Sequence, residues 1–227
     1  MKKILLELGH NIRENSTPKA IIGVLLGNII IGIGIATLRV SSMGNDPFTA
    51  MNMAVSETIS MGLGTYQSIF NLIFLVVQLI WGRKYIGLGT IVNMFLMGYV
   101  VQYSIPVVEM LIGKEGIHEF VIKLVIMVVA LIIVAFGLAL YQSSHVGVAP
   151  YDFLSLGMTD TLPTPYFTNR VITDSCSVLV ALSTFLLGFN DFAGCHLGIG
   201  TILTALCLGP LVGMFNKVVQ PFLWKMK

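Results

Sequence analysis

The chain has 227 residues, of which 56% are hydrophobic and 11% charged, and its mean hydropathy is +0.88. A water-soluble domain needs far more charge to cover its surface, so this composition argues against a soluble enzyme or binding module. The formal charge of +2 is too small to point to nucleic acid.

Residues 3–14 put Ile4, Leu5, Leu8 and Ile12 on one helical face. Residues 1–17 are therefore expected to form a short cytoplasmic segment lying at the membrane interface. Glu7, His10, Arg13 and Glu14 break any apolar core there, so a cleaved signal peptide is not expected. Apolar stretches follow at 20–38, 69–81, 86–101, 121–140, 171–189 and 197–215. With its flanks, each is long enough as a helix to cross about 30 Å of hydrocarbon. Nothing alternates as the strands of a membrane barrel do, so the expected fold class is an all-α membrane protein with six transmembrane helices.

Charge sets the orientation. Lys2, Lys3, Arg13 and Lys19 precede the first span, Arg83 and Lys84 separate the second and third, and Lys217, Lys225 and Lys227 follow the sixth. Six crossings bring all three basic clusters to one side, with both termini in the cytoplasm. The other side keeps Lys114 and Lys123 beside Glu115 and Glu119. Cys176, Cys195 and Cys207 form neither a zinc spacing nor a disulfide framework.

A shift of 103 residues aligns 34–65 with 137–168 without a gap, matching Gly34, Ala36, Ser41, Gly44, Pro47, Thr58 and Thr65 to identical residues. Phe48 meets Tyr151, and Glu57 meets Asp160. Further on the shift becomes 111, and Gly87, Gly89, Thr90, Ile91 and Gly98 fall on Gly198, Gly200, Thr201, Ile202 and Gly209. Gly, Pro, Ser and Thr carry most of these matches, which a shared apolar bias does not produce. Each half, 18–112 and 113–227, holds three spans, and an odd number makes the second copy enter from the opposite face. Two inverted 3+3 repeats are the expectation, an arrangement found in secondary transporters.

Within each half, a glycine turn and a proline follow the first long helix: Gly44 to Pro47 and Gly147 to Pro150. Glycine lets the chain leave one helix and proline suits the first position of the next. Residues 47–59 and 150–161 are thus predicted to be half-helices or re-entrant segments. Their N-termini would direct unpaired N–H groups and positive dipole ends at an anion or polarised solute. Asp46 and Asp152 stand at these starts, as caps or as site residues, and Phe48 and Tyr151 are packing or lining groups. Arg170 and Asp174 lie one turn apart in the fifth span, where Asp174 falls about 13 Å in, near the midplane. Arg170 can snorkel to the cytoplasmic surface, whereas Asp174 needs a partner or water at that depth. Its repeat counterpart is Asn71, expected to meet it across the pseudo-symmetry axis. Asn93 and its counterpart Thr204 also fall mid-span, as interhelical hydrogen bonders or solute contacts. The pairs Gly23/Gly27 and Gly209/Gly213 signal close helix packing. His145 and His196 have no second imidazole at metal-ligand spacing, so neither a metal nor a cofactor is expected.

The small-residue helix ending in Ser41-Ser42 or Ser143-Ser144, the Gly-x-x-Pro-aromatic turn and the Gly-x-Gly-Thr opening of each third helix resemble the bacterial YczE/YyaS/YitT-type integral membrane proteins. The resemblance spans nearly the whole chain and implies a protein of the bacterial cytoplasmic membrane that moves or senses a small solute. The second turn lacks the Asn45-Asp46 pair, which makes any site asymmetric. No nucleophile and base, metal site or paired carboxylates appear at helical spacing, so an enzyme is not expected. The expected function is small-solute transport at the repeat interface, with the proton as candidate coupling ion. The rivals are a solute-binding subunit resembling the substrate components of energy-coupling-factor transporters, and a non-transporting accessory protein. Beyond the lipid bilayer and the solute, a homo-oligomer or a partner membrane subunit are the expected partners.

Overall fold

A computed structural model describes residues 17–112, 119–191 and 193–224. The interfacial segment expected before residue 17, the loop around Lys114 and Glu115, and the terminal Lys225 and Lys227 lie outside the described residues. Eight α-helices make up the described part: α1 Pro18–Ser41, α2 Pro47–Thr58, α3 Leu63–Trp81, α4 Leu88–Ile112, α5 Phe120–Ser143, α6 Pro150–Thr161, α7 Tyr166–Leu186 and α8 Ile199–Trp224. Short 3-10 turns, Arg83–Tyr85 and Ala193–Cys195, precede α4 and α8. No strand occurs among the described residues.

Polarity is distributed as in lipid rather than in water. Outward positions carry Ile22, Leu111, Met110 and Val218, all largely exposed, while Asn28, Asn52, Gln78 and Ser155 are completely buried. A continuous apolar exterior is what acyl chains solvate, and interior polar groups then bond to one another. Five segments are long and apolar enough to cross a membrane: α1, α3, α4, α5 and the stretch Ala193–Pro221 that contains α8. Where the remaining span is expected the chain forms a helix, α7, 21 residues long, which is not among these five. Its length suffices, but Asn169, Arg170, Thr173, Asp174 and Ser177 lower its hydropathy below that of a free-standing span. The chain is a multi-pass membrane protein with at least these five apolar helices.

Proline and cap residues fix the starts. Pro18 occupies the first turn of α1, where Thr17 accepts a hydrogen bond from the Ala20 amide at 3.3 Å. Pro47 and Pro150 open α2 and α6, which have 12 residues each. At 1.5 Å per residue these reach about 18 Å, too short to cross the hydrocarbon.

The α1 and α5 helices pack along each other at the centre, where Gly27 lies against the backbone of Gly137 and Tyr141. Around them the halves interleave: α2 packs on α7, and α6 packs on α3. Gly209 and Gly213 differ from the expected packing pair, since a Cβ on either would meet nothing within 4 Å among the described residues.

The two glycine turns adopt the same backbone. Ser42 and His145 have φ of 55° and 51°, followed by Gly44 and Gly147 at 101° and 116°, a region open mainly to glycine. Each turn is hydrogen-bonded to the opposite half. Asn45 N donates to His196 O at 2.9 Å, and Val148 N to Tyr85 O at 2.9 Å. Gly200 N donates to Met43 O at 2.6 Å, and Gly89 N to Val146 O at 2.7 Å. Under the shifts of 103 and 111 residues, each pair of bonds maps onto the other. A Cβ on Gly87 would strike Val146 O, and one on Gly198 would strike Met43 O.

Candidate functional site

The half-helices meet at their N-termini. Phe48 and Tyr151, the second residues of α2 and α6, stack on each other with centroids 3.9 Å apart and planes inclined by 16°. These two rings occupy equivalent positions in the duplication, so their stack marks the junction of the halves.

Polar groups collect on the Tyr151 side. The Tyr151 hydroxyl donates to Asp174 Oδ1 at 2.8 Å and lies 3.1 Å from Ser177 Oγ. Arg170 Nε donates to Asp174 Oδ2 at 3.2 Å, and its Nη1 to Asp152 Oδ1 at 2.5 Å. The guanidinium carbon stands 5.1 Å from the Tyr151 ring centroid, within cation–π range. Exposure falls from 27% and 26% for the Arg170 and Asp152 side chains to 12% for Asp174. One cation thus bridges two carboxylates from two helices, and the phenol holds the deeper carboxylate from a third direction. Such charge-assisted bonds are stronger than neutral ones.

Asp46 caps α2 by accepting from the Thr49 amide at 3.1 Å, and it lies within electrostatic reach of Asp174 and Arg170. No side chain caps α6. Arg170, placed near the surface by sequence depth alone, is instead held inward by its two carboxylates.

Three expected site residues fall elsewhere. Asn71 is buried in α3, but no hydrogen bond joins it to Asp174. The Tyr151 ring stands between these helices, 6.0 Å from Phe74 of α3 and bonded to Asp174 of α7. Asn93 Nδ2 donates to Asn28 Oδ1 at 2.8 Å, which ties α4 to α1. Thr204 donates to Thr201 O in its own helix at 2.9 Å.

Two clasps at equivalent positions were not anticipated. In one, Glu57 at the end of α2 binds Arg39 at 3.0 Å and His196 Nε2 at 2.9 Å. In the other, Asp160 near the end of α6 binds Lys84 at 2.8 Å and accepts from the Tyr85 hydroxyl at 3.1 Å. Glu57 and Asp160 are repeat partners, as are Tyr85 and His196. The alignment of Glu57 with Asp160 was the available signal, because an acid kept at the same place in both copies asks for a partner in each. Tyr141 was also missed. It occupies the position equivalent to Leu38, and its hydroxyl is buried.

Long apolar helices wrapped around a polar interior define an integral membrane protein. The chain belongs to the family of unknown function DUF6198, which matches residues 18–217. It is 27% identical over 195 residues to the uncharacterized protein YyaS of Bacillus subtilis, covering 86% of this chain and 91% of that one. An uncharacterized protein of Haemophilus influenzae is 26% identical over 203 residues, covering 88% and 85%. The uncharacterized membrane protein YczE of Bacillus subtilis is 19% identical over 184 residues, covering 81% and 79%. These similarities support the YyaS and YczE part of the resemblance seen in the sequence; the YitT part stays a resemblance. No solved structure matches the chain significantly.

Proposed function

We propose that this protein is a small-solute transporter of the bacterial cytoplasmic membrane, with its site at the junction of α2 and α6. In this mechanism α7 completes a sixth crossing, and the halves are inverted three-helix repeats with both termini in the cytoplasm. The reciprocal turn bonds support the repeat, since each half closes on the other through the same backbone contacts. The exposed residues of α7 include Val171, Ile172, Leu179, Val180 and Leu186, and its polar face is turned to α2 and α6, which lets it cross while neighbours cover its charges.

The single observation that carries the proposal is the placement of Arg170, Asp152 and Asp174 beside the Phe48–Tyr151 stack. A charge network at the meeting point of two half-helices has no ordinary surface role. Asp174 is the proposed coupling carboxylate: protonation would release Tyr151 and Arg170 together. The Arg39–Glu57–His196 clasp closes the outer route and the Lys84–Tyr85–Asp160 clasp the inner one, and they open in turn.

Reconstituted vesicles test this with Asp174→Asn, whose amide keeps the shape but cannot ionise. Loss of proton-coupled uptake with folding retained is the expected result. Retention of both would remove Asp174 from the mechanism. A solute-binding subunit is favoured by one observation, the uncovered Gly209/Gly213 strip of α8, which a partner helix would fit. Co-purification of another membrane subunit through that strip would support it.

A further inference from the structure

The principal helix packings among the described residues fall into two groups. One is α1, α4, α5 and α8, in which α1 packs on α4 and α5, and α5 on α8. The other is α2, α3, α6 and α7, in which α2 packs on α7, α3 on α6 and α6 on α7. Side chains tie each group from within. Asn93 bonds to Asn28 and Ser143 to Asn216 in the first, and Arg170 to Asp152 and Tyr151 to Asp174 in the second. Close-packed bodies of this kind shift against one another more readily than they deform.

The contacts that join the groups are unequal. α3 packs on α4, where Gly64 N donates to Gln102 Oε1 at 2.8 Å and Ser68 Oγ to Met94 O at 3.4 Å. A Cβ on Gly98 of α4 would fall within 3.0 Å of atoms of Gly64 and Gln67. In the duplication, Arg170, Val171, Ala205, Gly209 and Gly213 stand for Gln67, Ser68, Met94, Gly98 and Gln102. Yet α7 makes no comparable packing on α8 among the described residues, and a Cβ on Gly209 or Gly213 would meet nothing within 4 Å there. Gln67, covered by Gly98, is 4% exposed, whereas the side chain of its counterpart Arg170 is 27% exposed. One contact between the groups is made, and its equivalent stands open. Ala205, Gly209 and Gly213 follow at four-residue spacing, so a helix can approach that face of α8 to backbone distance. Pro210 within the same stretch removes a helix hydrogen bond and lets α8 bend.

We infer that the α2–α3–α6–α7 group rocks against the α1–α4–α5–α8 group, and that α7 closes on the Ala205, Gly209 and Gly213 face of α8 as α3 leaves α4. The inference rests on the inverted-repeat reading proposed above, in which the two contacts lie at opposite ends of the bundle, so that closing one levers the other open. The α3–α4 contact shows the packing that α7 and α8 take up in the second state.

The test uses the full chain in the membranes of the expressing cell, with Cys176, Cys195 and Cys207 replaced by alanine. A short bis-methanethiosulfonate is the crosslinking probe, and bridges are counted by the mass of the intact chain. Ser68→Cys with Met94→Cys reports α3 on α4, and Val171→Cys with Ala205→Cys reports α7 on α8. Thr65 and Tyr99, whose hydroxyls lie 3.3 Å apart, replace the first pair if Met94→Cys fails to fold. Each pair alone should form a bridge within one chain, and a chain carrying all four cysteines should hold one bridge and never two. Two bridges in one chain, no α7–α8 bridge where the α3–α4 bridge forms, or an α7–α8 bridge formed only between two chains would each overturn the inference. A membrane-impermeant maleimide at Thr58→Cys and Thr161→Cys keeps the repeat reading separate. Labelling of both from one side would sink that reading, whereas labelling from opposite sides without an α7–α8 bridge would sink the rocking alone.

Discussion

The two halves of this molecule share a backbone device and differ in chemistry. At the turns, the φ angles and the reciprocal hydrogen bonds are almost the same in both copies. Around them, Leu38, Phe48, Thr49, Gln67, Asn71 and Phe74 in the first half correspond to Tyr141, Tyr151, Asp152, Arg170, Asp174 and Ser177 in the second. Six uncharged positions, three apolar and three polar, become a network with three charges. Backbone contacts between halves need particular small residues in both copies, whereas one polar face suffices to build a site. The backbone device is thus common to both halves, while the charged network lies in the second.

The scaffold should be the easiest part to break. Gly87→Ala and Gly198→Ala each drive a methyl group into a carbonyl of the opposite half, and overpacking against backbone costs about 2–3 kcal/mol. Both variants should melt well below the parent in detergent, and by similar amounts. A large difference between them would mean that the two turn contacts are not energetic equivalents. Arg170→Ala probes the second half alone. Removing the shared cation leaves Asp152 and Asp174 without a counter-charge, a loss of about 3 kcal/mol, the low end for a buried pair because about a quarter of the Arg170 and Asp152 side chains meets solvent. Gln67→Ala at the equivalent site should cost less, since it removes no charge. Measured melting temperatures that reversed this order would undo the comparison.

A smaller effect is expected at the ring stack. Tyr151→Phe recreates the first half's residue and deletes the hydroxyl bonded to Asp174, at a cost of about 1.5–3 kcal/mol for a bond to a charged group. Phe48→Tyr, the reverse exchange, adds a hydroxyl in the half whose counterpart of Asp174 is Asn71, not a carboxylate, and should not replace the lost bond. The double variant therefore tests whether chemistry can be moved between halves; recovery of stability in it would show that the junction is more symmetric than its side chains.

Local rules made much of the scaffold legible. Gly44 and Gly147 mark positive φ, Pro47 and Pro150 mark helix starts, and Asp46 sits at the cap position, so the short helices and their boundaries follow from neighbouring residues. The Arg170–Asp174 pair was legible for the same reason, being one turn apart on one helix. What stayed hidden was set by which helices touch. Asp152 pairs with Arg170 because α6 packs on α7, and Tyr151 comes between Asn71 and Asp174 because α6 also packs on α3. Asn93 finds Asn28, not the site, because α4 lies against α1. The low hydropathy of α7 comes from polar residues on the face that meets α2 and α6.

The two clasps give the smallest and most selective prediction. Asp160 is held below the usual carboxylate range by hydrogen bonds from Lys84 and Tyr85, and Lys84 is raised by the same contacts. An acid with a depressed folded-state pKa contributes stability above its unfolded value and loses it as pH falls through the folded one. The Lys84 clasp should thus hold at neutral pH and open only in acid, below the ordinary carboxylate range. Salt separates it from its counterpart. The Lys84 side chain is 68% exposed and Arg39 only 28%, and at 0.15 M salt exposed charges are screened beyond about 8 Å. Exposed pairs of this kind contribute little to stability, so the readout is accessibility, not melting. A cysteine placed at Thr161, next to Asp160, should label faster as salt rises at constant pH, while one at Thr58, next to Glu57, should change less. Equal salt responses would mean that the His196 contact adds nothing that the Tyr85 contact lacks, and the two ends of the molecule would then be alike in energy as well as in position.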